Sequence, residues 1–148
     1  MSSRDNKLGL FGWAFGGWYG PERYAFTLQR ITGLSILLYL VMHVFVTAPR
    51  LWGQGAWESI MAQVDKPLFK LGEYALFCAV AIHALNGLRL ILSESGFILP
   101  APKPPEYPYP TCLAKQRPMF YAVMALAMVV VVMGGVDALK DILQLLEK

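Results

Sequence analysis

The chain has 148 residues, of which 56% are hydrophobic and 16% charged, and its mean hydropathy is +0.45. A soluble domain of this size carries about 25% charge, so the composition excludes an ordinary water-soluble globule and points to a lipid bilayer. The formal charge of +3 is too small and too scattered for the clustered basic face of a nucleic-acid-binding protein, and no nucleic-acid partner is expected.

The polar opening, Met1 to Lys7, leads to neither a cleavable signal pattern nor an organelle presequence, so targeting is expected to fall to the first span. Residues 8–24 then mix five glycines with Phe11, Trp13, Phe15, Trp18, Tyr19 and Tyr24. Trp and Tyr concentrate where one ring edge is wet and the body is not. Residues 1–24 therefore read as an interfacial segment on one membrane surface.

Three spans follow. The uncharged run Ile31 to Ala48 approaches the roughly 20 apolar residues that a bilayer core requires. With Tyr24 to Arg30 opening the same helix, span I covers 25–48 and stops at Pro49 and Gly53. Residues 49–70 hold Trp52, Trp57 and a polar stretch suited to a short surface helix ending at Pro67. Span II covers 71–93, with Glu73 and Arg89 near its ends. Residues 94–118 contain PAPKPPEYPYP, which cannot be helical and predicts an extended polyproline loop. Span III covers 119–136, entered through Pro118 and closing on Gly134–Gly135. In the tail, 137–148, Leu139, Ile142, Leu143 and Leu146 continue a stripe begun by Val136, which predicts an amphipathic surface helix. Cys78 falls in an apolar run and Cys112 in a polar loop, so no disulfide between them is expected.

Arg4, Lys7, Arg23, Arg30, Lys103, Lys115 and Arg117 lie on one side of these spans; Arg50, Lys66, Lys70, Lys140 and Lys148 lie on the other. Cytoplasmic segments collect Lys and Arg, so the N-terminus is placed in the cytoplasm. The expected fold is an all-α membrane protein: three transmembrane helices plus an amphipathic C-terminal helix.

The two histidines, His43 and His83, both fall inside spans. An ionisable group in a bilayer is costly and marks a functional site by default, and imidazole is a common ligand of haem iron. Gly87, one turn from His83, leaves room for a flat macrocycle. Arg89 at the membrane surface suits a haem propionate or a polar ligand headgroup. If Arg30 and Arg89 mark the same boundary, His43 lies about 20 Å deep and His83 about 9 Å, at ~1.5 Å per residue. Imidazoles about 10 Å apart in depth do not share one iron. Two haems b are expected, each sharing its second axial ligand with another chain. Ser35 and Tyr39 stand on nearly the face of His43, and Arg50 beyond it suits an outer propionate. Asn86 suits either a ligand contact or a bond between helices. Arg30 and Thr27, at the cytoplasmic boundary, suit a quinone carbonyl or a snorkelling anchor equally.

These residues carry a resemblance. Gln29–Arg30–Ile31–Thr32–Gly33 resembles the His-Arg-Ile-Thr-Gly box of the succinate dehydrogenase cytochrome b membrane-anchor subunit, and His83 to Arg89 resembles its H-x-x-x-G-x-R haem motif. Met42–His43–Val44 is similar to the branch whose anchors hold two haems. The likeness covers residues 20–97 and a generic third span. It implies half of a heterodimeric helical anchor in a prokaryotic inner membrane, partnered by a flavoprotein, an iron–sulfur subunit and a second anchor subunit. It further implies His83 and His43 as haem axial ligands, Arg89 as a propionate or quinone-site arginine, and Arg30 as the quinone-site arginine. Two departures stand out. Gln29 replaces the usual histidine, and Phe26 stands where some members have a quinone-binding serine, leaving Thr27 as an approximate substitute. A cytochrome b subunit of another quinone-linked dehydrogenase, a haem-free adaptor or a small transporter are the alternatives, though transporters usually show repeats or broken helices.

Overall fold

The computed structural model describes residues 20–96, 107 and 113–147. The segment before Gly20, most of the proline-rich loop and Cys112 lie outside the described residues, and with them most of the interfacial and polyproline expectations.

Helix α1 (Pro21–Thr47) begins where backbone chemistry favours it. Gly20 takes φ 84°, a left-handed value that side chains resist, and Pro21 at the first helical turn gives up no needed N–H. Its 27 residues reach about 40 Å at ~1.5 Å per residue. Pro49 lies in the 3-10 turn Ala48–Trp52, and Gly53, with φ 103°, redirects the chain into the surface helix α2 (Gln54–Val64). The short helix expected between the spans is therefore present.

Helix α3 (Pro67–Glu94) starts a turn earlier than Leu71, because Pro67 initiates it instead of ending the connection. Helix α4 (Leu113–Leu146) runs 34 residues without a break. The helix expected over the tail is there, as the direct continuation of the third span. Pro118 lies near its start, where a missing N–H forfeits a single backbone bond.

Gly134–Gly135 does not stop α4; it lets α3 approach. A Cβ on Gly134 would overlap the Phe77 ring, and one on Gly135 would stand 2.6 Å from Tyr74 Oη. Small residues at such crossings bring helix backbones close in a membrane. Tyr74 Oη then donates to the Val131 carbonyl at 3.0 Å. Helix α3 packs against both α1 and α4. At one end Arg117 Nε donates to Glu22 Oε1 at 2.7 Å, tying α4 to α1.

The three long helices are each long and apolar enough to cross a membrane. Their outward surface is apolar: Leu38 is 72% exposed and Phe45 73%. Among the described residues the buried apolar side chains are Ala25, Pro49, Phe120 and Ala127, beside the polar Thr32, Asn86, Arg89 and Ser93. This is an inside-out distribution relative to a protein in water.

Gly134→Leu is expected to cost about 1–3 kcal/mol by overpacking the α3–α4 crossing, whereas Tyr74→Phe, losing one interhelical bond, should cost only ~0.6 kcal/mol. Thermal unfolding of the detergent-purified protein measures both.

Candidate functional site

The face that α3 turns to α1 is polar. His83, Asn86, Arg89 and Ser93 recur at steps of three or four, and Gln29, Thr32 and Gly33 answer them from α1. Asn86 is 1% exposed and Arg89 7%. In such a place every donor and acceptor needs a partner. Among the described residues no buried side-chain nitrogen or oxygen lacks one.

The partners form a directed chain. Arg89 Nε donates to Asn86 Oδ1 at 3.1 Å, and Asn86 Nδ2 donates to Gln29 Oε1 at 2.9 Å. Gln29 Nε2 then faces His83 Nε2 at 3.5 Å and the His83 carbonyl at 3.3 Å. Guanidinium has donors only, so it settles which end of each amide faces which neighbour. The Arg89 guanidinium also lies over the Phe120 ring, 5.4 Å from its centre. Ser93 Oγ donates to the Arg89 carbonyl at 2.9 Å, closing the face on itself.

The donor end of Gln29 meets His83 Nε2, so Nε2 is the lone-pair nitrogen. The other ring nitrogen agrees: Nδ1 lies 3.2 Å from the Gln29 carbonyl, an acceptor only. A metal-bound imidazole typically shows this arrangement, one nitrogen hydrogen-bonded to a carbonyl and the other offering its lone pair. The two glycines let these groups settle onto bare backbone: a Cβ at Gly33 would come within 2.9 Å of His83 Cε1, and one at Gly87 within 3.3 Å of Gln29 Nε2. The donor chemistry of His83 fits haem iron, which would take the Nε2 lone pair in place of the Gln29 amide.

The second histidine sits elsewhere. His43 is exposed, with Tyr39 Oη 3.3 Å from Nδ1 and the two rings 5.5 Å apart. It lines a cleft of about 190 Å³ with Tyr39, Met42, Leu68, Phe69 and Glu73. His83 stands opposite Thr32, which puts His43 about eleven residues further along α1, or about 16 Å at ~1.5 Å per residue. That gap exceeds the 10 Å expected from sequence. Asn86 pairs with Gln29, so antiparallel register sets Arg89 level with residue 26, not with Arg30. The two imidazoles are further apart in depth than boundary residues alone implied. Among the described residues no three of His, Cys, Asp and Glu converge on one point.

The remaining expected residues divide by location. Gly87 and Arg89 join His83. Tyr39 joins His43. Ser35 is exposed and donates to its own Ile31 carbonyl at 2.9 Å. Arg50 stacks over Trp57, 5.2 Å from the ring centre, at the far end of α1. Arg30 is exposed and lies over Phe26 at 5.3 Å, with half-buried Thr27 one turn before it. Thr32, Gly33 and the bonding role of Gln29 were absent from the sequence-based site. Their signal was the spacing 29, 32, 33, which places them on one face of α1.

Compared with known proteins, residues 17–134 match the family described as succinate dehydrogenase/fumarate reductase transmembrane subunit. The chain is similar to the succinate dehydrogenase 2 membrane subunit SdhC of Mycobacterium tuberculosis, 34% identical over 74 residues, covering 50% of this chain and 54% of that one. It is 35% identical over 75 residues to a succinate dehydrogenase hydrophobic membrane anchor subunit of Archaeoglobus fulgidus, covering 51% and 64%. A protein of the same description from Halobacterium salinarum is 27% identical over 121 residues, covering 80% and 82%. The first two similarities thus span between half and two thirds of those relatives' length. No solved structure matches.

Replacing Asn86 by Leu would strand Gln29 Oε1 and the Arg89 guanidinium in the interface. An unsatisfied buried group costs about 1–3 kcal/mol, more when charged. Asn86→Leu should therefore lower the thermal inactivation midpoint of the purified protein well beyond an exposed control such as Leu38→Ala.

Proposed function

Because the chain belongs to the succinate dehydrogenase/fumarate reductase transmembrane subunit family, we propose that it is the cytochrome b anchor of such a complex, binding haem b and a quinone. The observation that carries this reading is the His83 imidazole, whose Nδ1 faces a backbone carbonyl at 3.2 Å while Nε2 is left as the lone-pair nitrogen. Haem b held there would supply a one-electron carrier between iron–sulfur chemistry and quinone.

The chain's own residues do the rest. His83 and His43 would each hold a haem iron through one ring nitrogen, and their separation in depth supports two irons rather than one shared. A second ligand for each comes from a partner anchor subunit. Arg89, already committed to Asn86 through Nε, keeps its remaining guanidinium donors for a propionate. Arg50 plays that part at the outer end, with Gly87, Ser35 and Tyr39 shaping the pockets. Arg30 is exposed on the boundary of α1, where its guanidinium and the Thr27 hydroxyl hydrogen-bond a quinone carbonyl oxygen. Reducing that quinone takes two electrons and two protons, so a position next to the aqueous phase suits the proton supply. The Lys and Arg balance supports a cytoplasmic position for this end, and the family resemblance supports a prokaryotic inner membrane. There a flavoprotein and an iron–sulfur subunit dock and exchange electrons with succinate or fumarate.

A reduced-minus-oxidised spectrum of the purified complex tests the reading, and a haem b band is expected. His83→Leu should remove one haem and His43→Leu the other. A spectrum with no haem band in the intact wild-type complex would leave a haem-free anchor. Arg30→Met should raise the KM for quinone about 10- to 100-fold, the equivalent of a lost charged hydrogen bond, while leaving the haem content unchanged.

A further inference from the structure

Thr32 lies in the face of α1 that seats His83, yet no role in the proposed chemistry falls to it. It is 5% exposed, and its Oγ1 sits 3.2 Å from His83 Nδ1. Direction can be assigned from the hydroxyl's other bond. Oγ1 donates its single proton to the Leu28 carbonyl at 2.7 Å, so its lone pairs face the imidazole. Nδ1 must then carry the proton. The Gln29 carbonyl, 3.2 Å from the same nitrogen, makes the same demand. On the opposite ring edge, the amide of Gln29 arrives as a donor through the Arg89–Asn86 chain, in the place an iron at Nε2 would take. Gly33 beneath the ring has no side chain to hold it away. Two edges of one imidazole thus require the same tautomer through separate partners.

We propose that Thr32 is a positioning residue for His83: with the Gln29 carbonyl it locks the Nδ1–H tautomer and strengthens Nε2 as an electron donor. The inference rests on the reading of His83 as an iron ligand. A hydrogen bond from the distal N–H raises the basicity of a ligating imidazole. A more basic ligand favours ferric over ferrous iron, which lowers the midpoint potential of the haem. Gln29 cannot be stripped of its carbonyl by mutation, but Thr32 can lose its hydroxyl. Valine keeps the β-branched shape and removes the acceptor; serine keeps the acceptor and removes a methyl group.

The purified complex is titrated potentiometrically while haem b absorbance is followed, and the wave that disappears in His83→Leu is assigned to this site. Thr32→Val should shift that wave to higher potential, and Thr32→Ser should return it toward the wild-type value. A wild-type potential in Thr32→Val, or an equal shift in Thr32→Ser, overturns the inference. A second measurement needs no haem. The full chain carrying His43→Leu, labelled with 15N-histidine and made in haem-deficient cells, has one imidazole whose ring-nitrogen shifts report the tautomer. The Nδ1–H form is expected, and the Nε2–H form would refute the assignment. If His83→Leu kept its full haem content, the ligand reading would fall instead, while the tautomer experiment, repeated with Thr32→Val added, would still decide the role of Thr32: a mixture of tautomers is expected there, and an unchanged Nδ1–H form would overturn that role.

Discussion

The structure depends on a requirement of hydrocarbon: a polar group enclosed between membrane helices has no water to fall back on. Asn86 meets it from the middle of the α1–α3 interface. It accepts from Arg89, donates to Gln29, and is the most deeply buried large side chain described. Removing Asn86 leaves two neighbours, Arg89 and Gln29, stranded. The cation at one end has only donors, so each amide down the line has one permitted orientation and the imidazole at the far end inherits one tautomer. Register, amide orientation and ring chemistry are consequences of the same short chain of bonds.

The two ends of the anchor follow different rules. Where α1 and α3 meet at His83, polar side chains hold the helices and the imidazole is braced from both sides. Where α3 crosses α4, Phe77 and Tyr74 press into the bare backbone of Gly134 and Gly135, with one bond from Tyr74 Oη to the Val131 carbonyl. At His43 neither device operates. Its ring is exposed and leans on Tyr39 of its own helix, so an axial ligand there would be oriented largely by what packs against it from outside the chain. His83 is braced by its own chain, and His43 is open to a neighbour.

How far the residues foretold this differs from element to element. The spans were legible because a bilayer imposes length and hydropathy locally, and Ile31 to Ala48 satisfies both on its own. Gly53 and the surface helix were equally local, whereas the start of α1 at Pro21, four residues before the expected 25, was not read. Gly134–Gly135 misled because glycine stops helices in water but tightens crossings in lipid, and only the position of Phe77 tells the two apart. Among site residues, His83, Gly87 and Arg89 were readable from type and spacing. Gln29 was noticed as a departure from a familiar box, yet its bonding role depends on Asn86 lying opposite, which no single-helix pattern contains.

The amino-acid sequence alone determined that the chain is a three-span helical membrane protein with two imidazoles at different depths. Hydropathy, helix rise and the cost of burying charge act residue by residue, so those properties need no knowledge of neighbours. Only the tertiary structure decided the α1–α3 register, and with it the level of Arg89 and the distance between the two histidines. It alone decided which nitrogen of His83 carries the proton. Both outcomes follow from hydrogen bonds between residues more than 50 positions apart, and such bonds exist only once the helices have packed.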